Sequence, residues 1–239
     1  MSASEVTTST IGSTRWLFLH GTPLGPAAWD DVASGIRAAG NHTWCPSLED
    51  PGSSLVHARR LIAAASAGAP FHVVGHSFGG QVAIDLALEA PELIASLALV
   101  CTRDSPYPAF QDTATALRAG LQPDTEQVLT RWFTPQELEA AAPVVAFTKD
   151  AIVRADRDAW ADALESIASF DRRSQIRFLT VPTTLIAAEL DTVSSPKTMQ
   201  DMAARVQRAT MTILAGTSHM GPFLQPERIV ALLRRNATR

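Results

Sequence analysis

Gly75-His76-Ser77-Phe78-Gly79 sets a serine between two glycines, directly after the apolar, β-favouring run Phe71-His72-Val73-Val74. This is the G-x-S-x-G pattern of a sharp turn from strand to helix. A serine at such a turn takes strained backbone angles, and a glycine two residues away on each side leaves room for approaching backbone. The hydroxyl is thereby pushed out of the sheet. Gly80 follows, and Gln81 to Glu89 places Val82, Leu86 and Glu89 on one helical face and Ala83, Ala87 and Ala90 on another. That patterning suits a helix lying on a sheet. The bare five-residue pattern also fits an incidental serine in a glycine-rich turn, so the flanking strand and helix decide the reading.

Working outward, short apolar runs alternate with amphipathic segments. Trp16-Leu17-Phe18-Leu19 reads as a strand, Pro26 to Ala38 as a helix, Thr43-Trp44-Cys45 as a strand and Leu55 to Ala67 as a helix. After the serine-bearing unit comes the strand Leu97 to Cys101. Wholly apolar strands are expected where a parallel sheet is covered on both faces. From Arg103 the rhythm changes, with Pro106, Pro108, Pro123, Pro135 and Pro143 punctuating helical pieces to about Phe170. The alternation returns with Pro182 to Ala187 as a strand, Pro196 to Val206 as a helix, Thr210 to Leu214 as a strand and Pro226 to Arg235 as a helix. The expected architecture is α/β: a mostly parallel twisted sheet with helices on both faces, built from residues 1–102 and 171–239, with 103–170 inserted as a small helical cap.

Bulk properties narrow the function. A chain of 239 residues with 46% hydrophobic composition can bury one large core. Net charge −4 and a pI near 5.8 offer no basic stripe, so nucleic acid is not an expected partner. Met1 to Ser13 lacks the apolar stretch of a signal peptide, and Leu93 to Cys101 is too short to span a bilayer. No membrane association and a cytoplasmic location are expected. Cys45 and Cys101 suit small buried hydrophobes in a reducing compartment. The histidines lack paired metal-ligand spacing, and Gly75 to Gly80 lacks the spacing of a dinucleotide fingerprint, so neither metal nor cofactor is expected.

A serine nucleophile needs a base and an orienting acid. Among the six histidines, His219 alone occupies a late strand-to-helix loop, Gly216-Thr217-Ser218-His219-Met220-Gly221. Asp191 lies just beyond the strand ending at Ala187. Taken alone, His219 also fits a surface or capping histidine, and Asp191 a helix cap.

With Ser77, Asp191 and His219 in that chain order, and His20-Gly21 after the first strand, the sequence resembles the α/β-hydrolase fold superfamily over essentially its whole length. The resemblance implies Ser77 as nucleophile, His219 as general base and Asp191 as its orienting acid. Asp104, after the strand ending at Cys101, stands at a second place where such proteins carry the acid. The resemblance further implies an oxyanion hole from the backbone N–H groups of Thr22 and Phe78. Pro23 has no N–H to give. Two departures from the usual pattern stand out: only Glu5 to Thr10 is available for the usual N-terminal hairpin, and Pro46 to Gly52 varies the usual turn.

The implied activity is hydrolysis of a small carboxylic ester, lactone or thioester, as in the small esterases and enol-lactone hydrolases. The same constellation also serves C–C bond hydrolysis, acyl transfer, lyase or cyclisation chemistry, or a non-catalytic small-molecule receptor. Trp29, Trp132, Phe133 and Met220 are candidate walls of the substrate pocket, with Phe110 and Trp160 also in the cap. Acidic residues outnumber basic ones from Ser105 to Phe170, which disfavours a polyanionic substrate. Monomer and homodimer both remain open.

Overall fold

The computed structural model describes residues 14–65, 68–140 and 143–238. Glu5 to Thr10, the stretch available for the N-terminal hairpin, and residues 66–67 of the helix expected over Leu55 to Ala67 lie outside the described residues. In chain order the elements are β1 (Arg15–Leu19), α1 (Asp30–Arg37), β2 (His42–Trp44), α2 (Ser54–Ala64), β3 (Phe71–His76), α3 (Phe78–Glu89) and β4 (Ile94–Val100). Then come α4 (Phe110–Arg118), α5 (Thr125–Trp132), α6 (Pro135–Glu139), α7 (Pro143–Arg154) and α8 (Arg157–Ser169). The last elements are β5 (Thr183–Ala188), α9 (Pro196–Ala203), β6 (Ala209–Leu214) and α10 (Pro226–Ala237).

The strands form one sheet in the order β2-β1-β3-β4-β5-β6, and every recorded pairing is parallel. The strands β3 and β5 are buried along their whole length, and the polar His72 inside β3 is paired with Ser96 Oγ at 2.8 Å. β6 pairs only with β5 in this order, so Thr210 and Ile213 face outward. Helix α1 packs on α10 and α2 on α3, giving helical layers on both faces of the sheet. Trp29, fully buried, packs at a tilt against Phe18 and edge-on against Phe223 inside this core.

Helix α3 departs from the two-faced helix of the sequence reading. It starts at Phe78, immediately after Ser77, and every residue from Phe78 to Ala87 is buried, Gln81 and Asp85 included. The sheet covers one side, and α2 and α8 pack on others. A carboxylate so placed must be paired. Asp85 accepts from Arg172 Nε at 2.6 Å and from Ser54 Oγ at 2.7 Å, while the Arg172 amide donates to the Asp104 carbonyl at 2.8 Å. Arg172 therefore ties the chain leaving the α4–α8 insertion both to α3 and to the chain entering it. Ser166 on α8 accepts from the Ser54 amide, a second tie between insertion and core.

Arg172→Ala strands the Asp85 carboxylate and should cost about 2–3 kcal/mol. Thermal unfolding should show a fall in Tm of roughly 5–10 °C. A shift below about 1 °C would contradict this account.

Candidate active site

The sheet order places β2 on one side of β1 and β3 on the other, so the loops leaving β1 and β3 diverge. In open α/β sheets, crevices for ligands form at the carboxyl ends of such strands. Ser77 stands there, at φ 53° and ψ −119°. Its amide donates to Val100 O at 3.0 Å, and its carbonyl accepts from Thr102 Oγ1 at 2.7 Å. The flanking glycines are required by contact: a Cβ on Gly75 would collide with the Gly79 carbonyl, and one on Gly79 with the carbonyls of Leu19 and His20. Gly21 brings the loop after β1 equally close, since a Cβ there would lie 2.9 Å from His76 Nδ1 and 3.1 Å from Ser77 Cβ.

Ser77 Oγ lies 3.1 Å from His219 Nε2, and His219 Nδ1 lies 2.8 Å from Asp191 Oδ2. An ionised carboxylate only accepts, so Nδ1 carries the proton and Nε2 turns its lone pair to the serine hydroxyl. The other oxygen of Asp191 accepts from the amides of Val193 at 2.8 Å and Ser194 at 2.9 Å. Burial pushes this carboxyl up, but the histidine and the two amides outweigh it and hold the pKa below the usual range. Helix α9 has its own cap, Ser195, which accepts from the Thr198 amide. Asp104 is turned elsewhere, to Arg205 Nη1 at 2.9 Å, and burial raises its pKa against that partner.

His219 rests on further residues, among them His76 and Glu137, to which the sequence assigned no role. His76 Nε2 donates to the His219 carbonyl at 3.0 Å, and burial together with His219 lowers the His76 pKa to about 3. His20 holds the loop opposite: Nδ1 donates to Gly21 O and Nε2 accepts from the Leu48 amide, and burial lowers its pKa to about 4. The Met220 amide donates to Trp132 O at 3.1 Å, and Glu137 accepts from the Ser218 amide and hydroxyl. Only the x position of the G-x-S-x-G pattern hinted at His76. Ligand-type atoms of His76, Cys101 and His219 lie within 4.8 Å of one another. Both His219 nitrogens and His76 Nε2 are already committed, and burial with Asp191 raises the Cys101 thiol well above its ordinary pKa, so this cluster is a poor metal site.

Of the expected pocket walls, Trp132 lies beside the base, with ring centroids 6.3 Å apart, and Met220 follows it in the chain. Phe133 is buried, and Trp29 sits in the core instead, propping Phe223, which packs edge-on against His76. Phe78 opens α3, so its amide has no acceptor within the helix. Thr22 borders a crevice of about 20 Å³ shared with Trp160. The space at Ser77 itself is about 10 Å³, room for roughly one water, walled in part by Phe110, Thr102 and Ile167. Beyond Phe110, Trp132 and Trp160 the insertion carries an open, chamber-like groove of about 300 Å³ with a polar rim that includes Asp112, Asp124 and Arg131.

Residues 16–232 match the alpha/beta hydrolase family, and the chain belongs to it. It is 28% identical to the pimeloyl-[acyl-carrier protein] methyl ester esterase of Nitrosomonas europaea, across 90% of this chain and 92% of that one. It is 25% identical to 3-oxoadipate enol-lactonase 2 of Acinetobacter baylyi, across 86% and 69%. The crystal structure of the enol-lactonase from Burkholderia xenovorans LB400 superposes with a TM-score of 0.84 at 18% identity, across 95% of this chain and 92% of that one. The protein is a hydrolase, and its relatives include esterases and lactonases. No helix among the described residues is long and apolar enough to cross a membrane.

The two deeply buried histidines make folding acid-sensitive. Their folded pKa values lie below the ordinary 6.5, so the unfolded chain binds more protons as pH falls from 6.5 toward 4. Stability is then lost on acidification, by roughly 1–2 kcal/mol per histidine between pH 7 and pH 5. Urea unfolding at the two pH values should show the loss, and His20→Asn should shrink it; an unchanged difference in that variant would refute the assignment.

Proposed function

We propose that the protein hydrolyses a small carboxylic ester or lactone through an acyl-enzyme on Ser77. The observation that carries this is the unbroken chain from Asp191 through His219 to the Ser77 hydroxyl, set at the mouth of the sheet. Ser77 Oγ attacks the acyl carbon while His219 Nε2 takes its proton, and Asp191 stabilises the imidazolium. The amides of Thr22 and Phe78 receive the oxyanion, and His219 then protonates the leaving oxygen. Water, activated by the same nitrogen, releases the acid and restores the serine.

Esterase and enol-lactonase relatives support this reaction class. The substrate group that extends from the serine is assigned to the groove beyond Phe110 and Trp132, whose volume is at the lower end for small-ligand pockets. Its aromatic floor suits an apolar group, with a polar end at the rim. The chain works without a metal or cofactor in this reading, in the cytoplasm and on a small molecule.

A fluorophosphonate should label Ser77 alone, read by peptide mapping, and p-nitrophenyl butyrate or a small lactone should be turned over. Ser77→Ala should lower kcat by on the order of 10⁴-fold or more with the fold intact. Labelling at another serine with Ser77 unmodified would end this reading.

The acid assignment has its own test. Asp191→Asn should cost about 10²- to 10⁴-fold in kcat, because the imidazole loses its tautomer and its counter-charge. Asp104→Asn should cost less than about tenfold. The reverse ranking in steady-state kinetics would move the acid to Asp104.

A further inference from the structure

Both neighbours of His219 in the chain are held by one short stretch of the insertion. Ahead of it, Ser218 gives its amide to Glu137 Oε1 at 3.2 Å and its hydroxyl to Glu137 Oε2 at 2.5 Å. Behind it, the Met220 amide donates to Trp132 O at 3.1 Å. Glu137 is itself fixed, because its carboxylate accepts from the Thr134 amide at 2.7 Å and its own amide donates to Thr134 Oγ1 at 3.1 Å in a capping box that starts α6. Gly221 lies against this carboxylate closely enough that a Cβ there would stand 3.2 Å from Oε1. On the core side the loop has the His219 carbonyl on His76. The imidazole is thus seated between a rigid core contact and a clamp that belongs to the insertion.

We propose that Glu137 is a positioning residue that seats the general base from the insertion, so that His219 is aligned with Ser77 only while the insertion is closed on the core. The inference rests on the reading of Ser77 and His219 given above. Phe110 and Ile167 of the insertion wall a small space of about 10 Å³ beside Ser77, so the insertion lies against the nucleophile as well as against the loop of the base. A displacement of the insertion would therefore be felt at both groups. A carboxylate that grips Ser218 twice links such a displacement to the loop bearing the base. Glu137 makes none of its recorded bonds to Ser77, Asp191 or the His219 ring, so it acts through loop placement, and small errors in placement are costly to proton transfer.

The test is steady-state kinetics on p-nitrophenyl acetate with matched Tm measurements. Glu137→Ala should lower kcat about 10- to 100-fold while KM stays within about threefold, and Glu137→Gln, which keeps an acceptor oxygen, should return to within about fivefold of wild type. Ser218→Ala removes one of the two grips and leaves the α6 capping box intact, so it carries the test if Glu137→Ala does not fold; its kcat should fall about three- to tenfold at unchanged KM. The double variant should lose no more than the worse single one, because both changes break the same contact. Unchanged kcat, an effect confined to KM, or losses that multiply in the double variant would overturn the clamp. Wild-type enzyme that neither turns over the ester nor is labelled at Ser77 would instead overturn the reading of the nucleophile.

Discussion

The backbone of Ser77, held at φ 53°, is the constraint on which the rest of the site depends. A non-glycine residue there stores on the order of 1–3 kcal/mol of strain and persists only if its surroundings fix it. They do so through Val100 O on its amide and Thr102 Oγ1 on its carbonyl, both reached from β4 and the turn after it. Because the chain turns so tightly, Gly75 and Gly79 touch each other's backbone, and Gly79 touches β1. The same turn that lifts the hydroxyl out of the sheet therefore draws in the loop after β1, with Gly21 against His76 and Ser77. The proposed nucleophile and the loop proposed to hold its oxyanion are placed by one packing event.

Much of this was legible from residues alone. The apolar runs of β1, β3, β4 and β5 gave the sheet, since strands covered on both faces cannot tolerate polar alternation. Chain order gave Ser77, Asp191 and His219, because each follows a strand and parallel strands send their carboxyl ends to the same edge. Position after the strand ending at Ala187 favoured Asp191 over Asp104; what was not legible is that Arg205 claims the Asp104 carboxylate and that Ser195 relieves Asp191 of capping duty. Trp29 looked like a pocket wall because it is large and follows the oxyanion loop; the structure instead places it beside Phe18 and Phe223, a choice made by tertiary packing. Glu137 shows the limit most clearly. Thr134 and Glu137 have capping-box spacing, which specifies a helix start, but nothing local says that the same carboxylate reaches Ser218, 81 residues away.

Core and insertion contribute differently. Each reactive group hangs from a strand end, where the sheet's register fixes position and a helix can be added or lengthened without moving it. The insertion carries the groove and the aromatic partition of Phe110, Trp132 and Trp160. Its attachment is nevertheless firm at both ends. Arg103 donates to Val193 O, in the loop that also carries Asp191, and Arg172 binds Asp85 on the helix that follows Ser77. An insertion fastened at its stems can vary the lining of this groove while the stems stay fixed.

The electrostatic arrangement explains why His76 must be neutral. In the proposed reaction His219 becomes an imidazolium during attack, and Asp191, ionised and held by two amides, is placed to meet that charge. The His76 ring stands 4.9 Å from the His219 ring, centroid to centroid. A proton on His76 would set like charges at that distance, opposing the imidazolium by about 3 kcal/mol at the effective dielectric of a protein site. That is enough to slow the reaction roughly a hundredfold. Burial prevents it: His76 is enclosed by Phe223 and the Gly21 loop, and its pKa is driven far below neutrality. Its one recorded bond, to the His219 carbonyl, is one that a neutral imidazole can make. His76 thus holds the base by a hydrogen bond while adding no charge, a combination that lysine or arginine in the same position would lose.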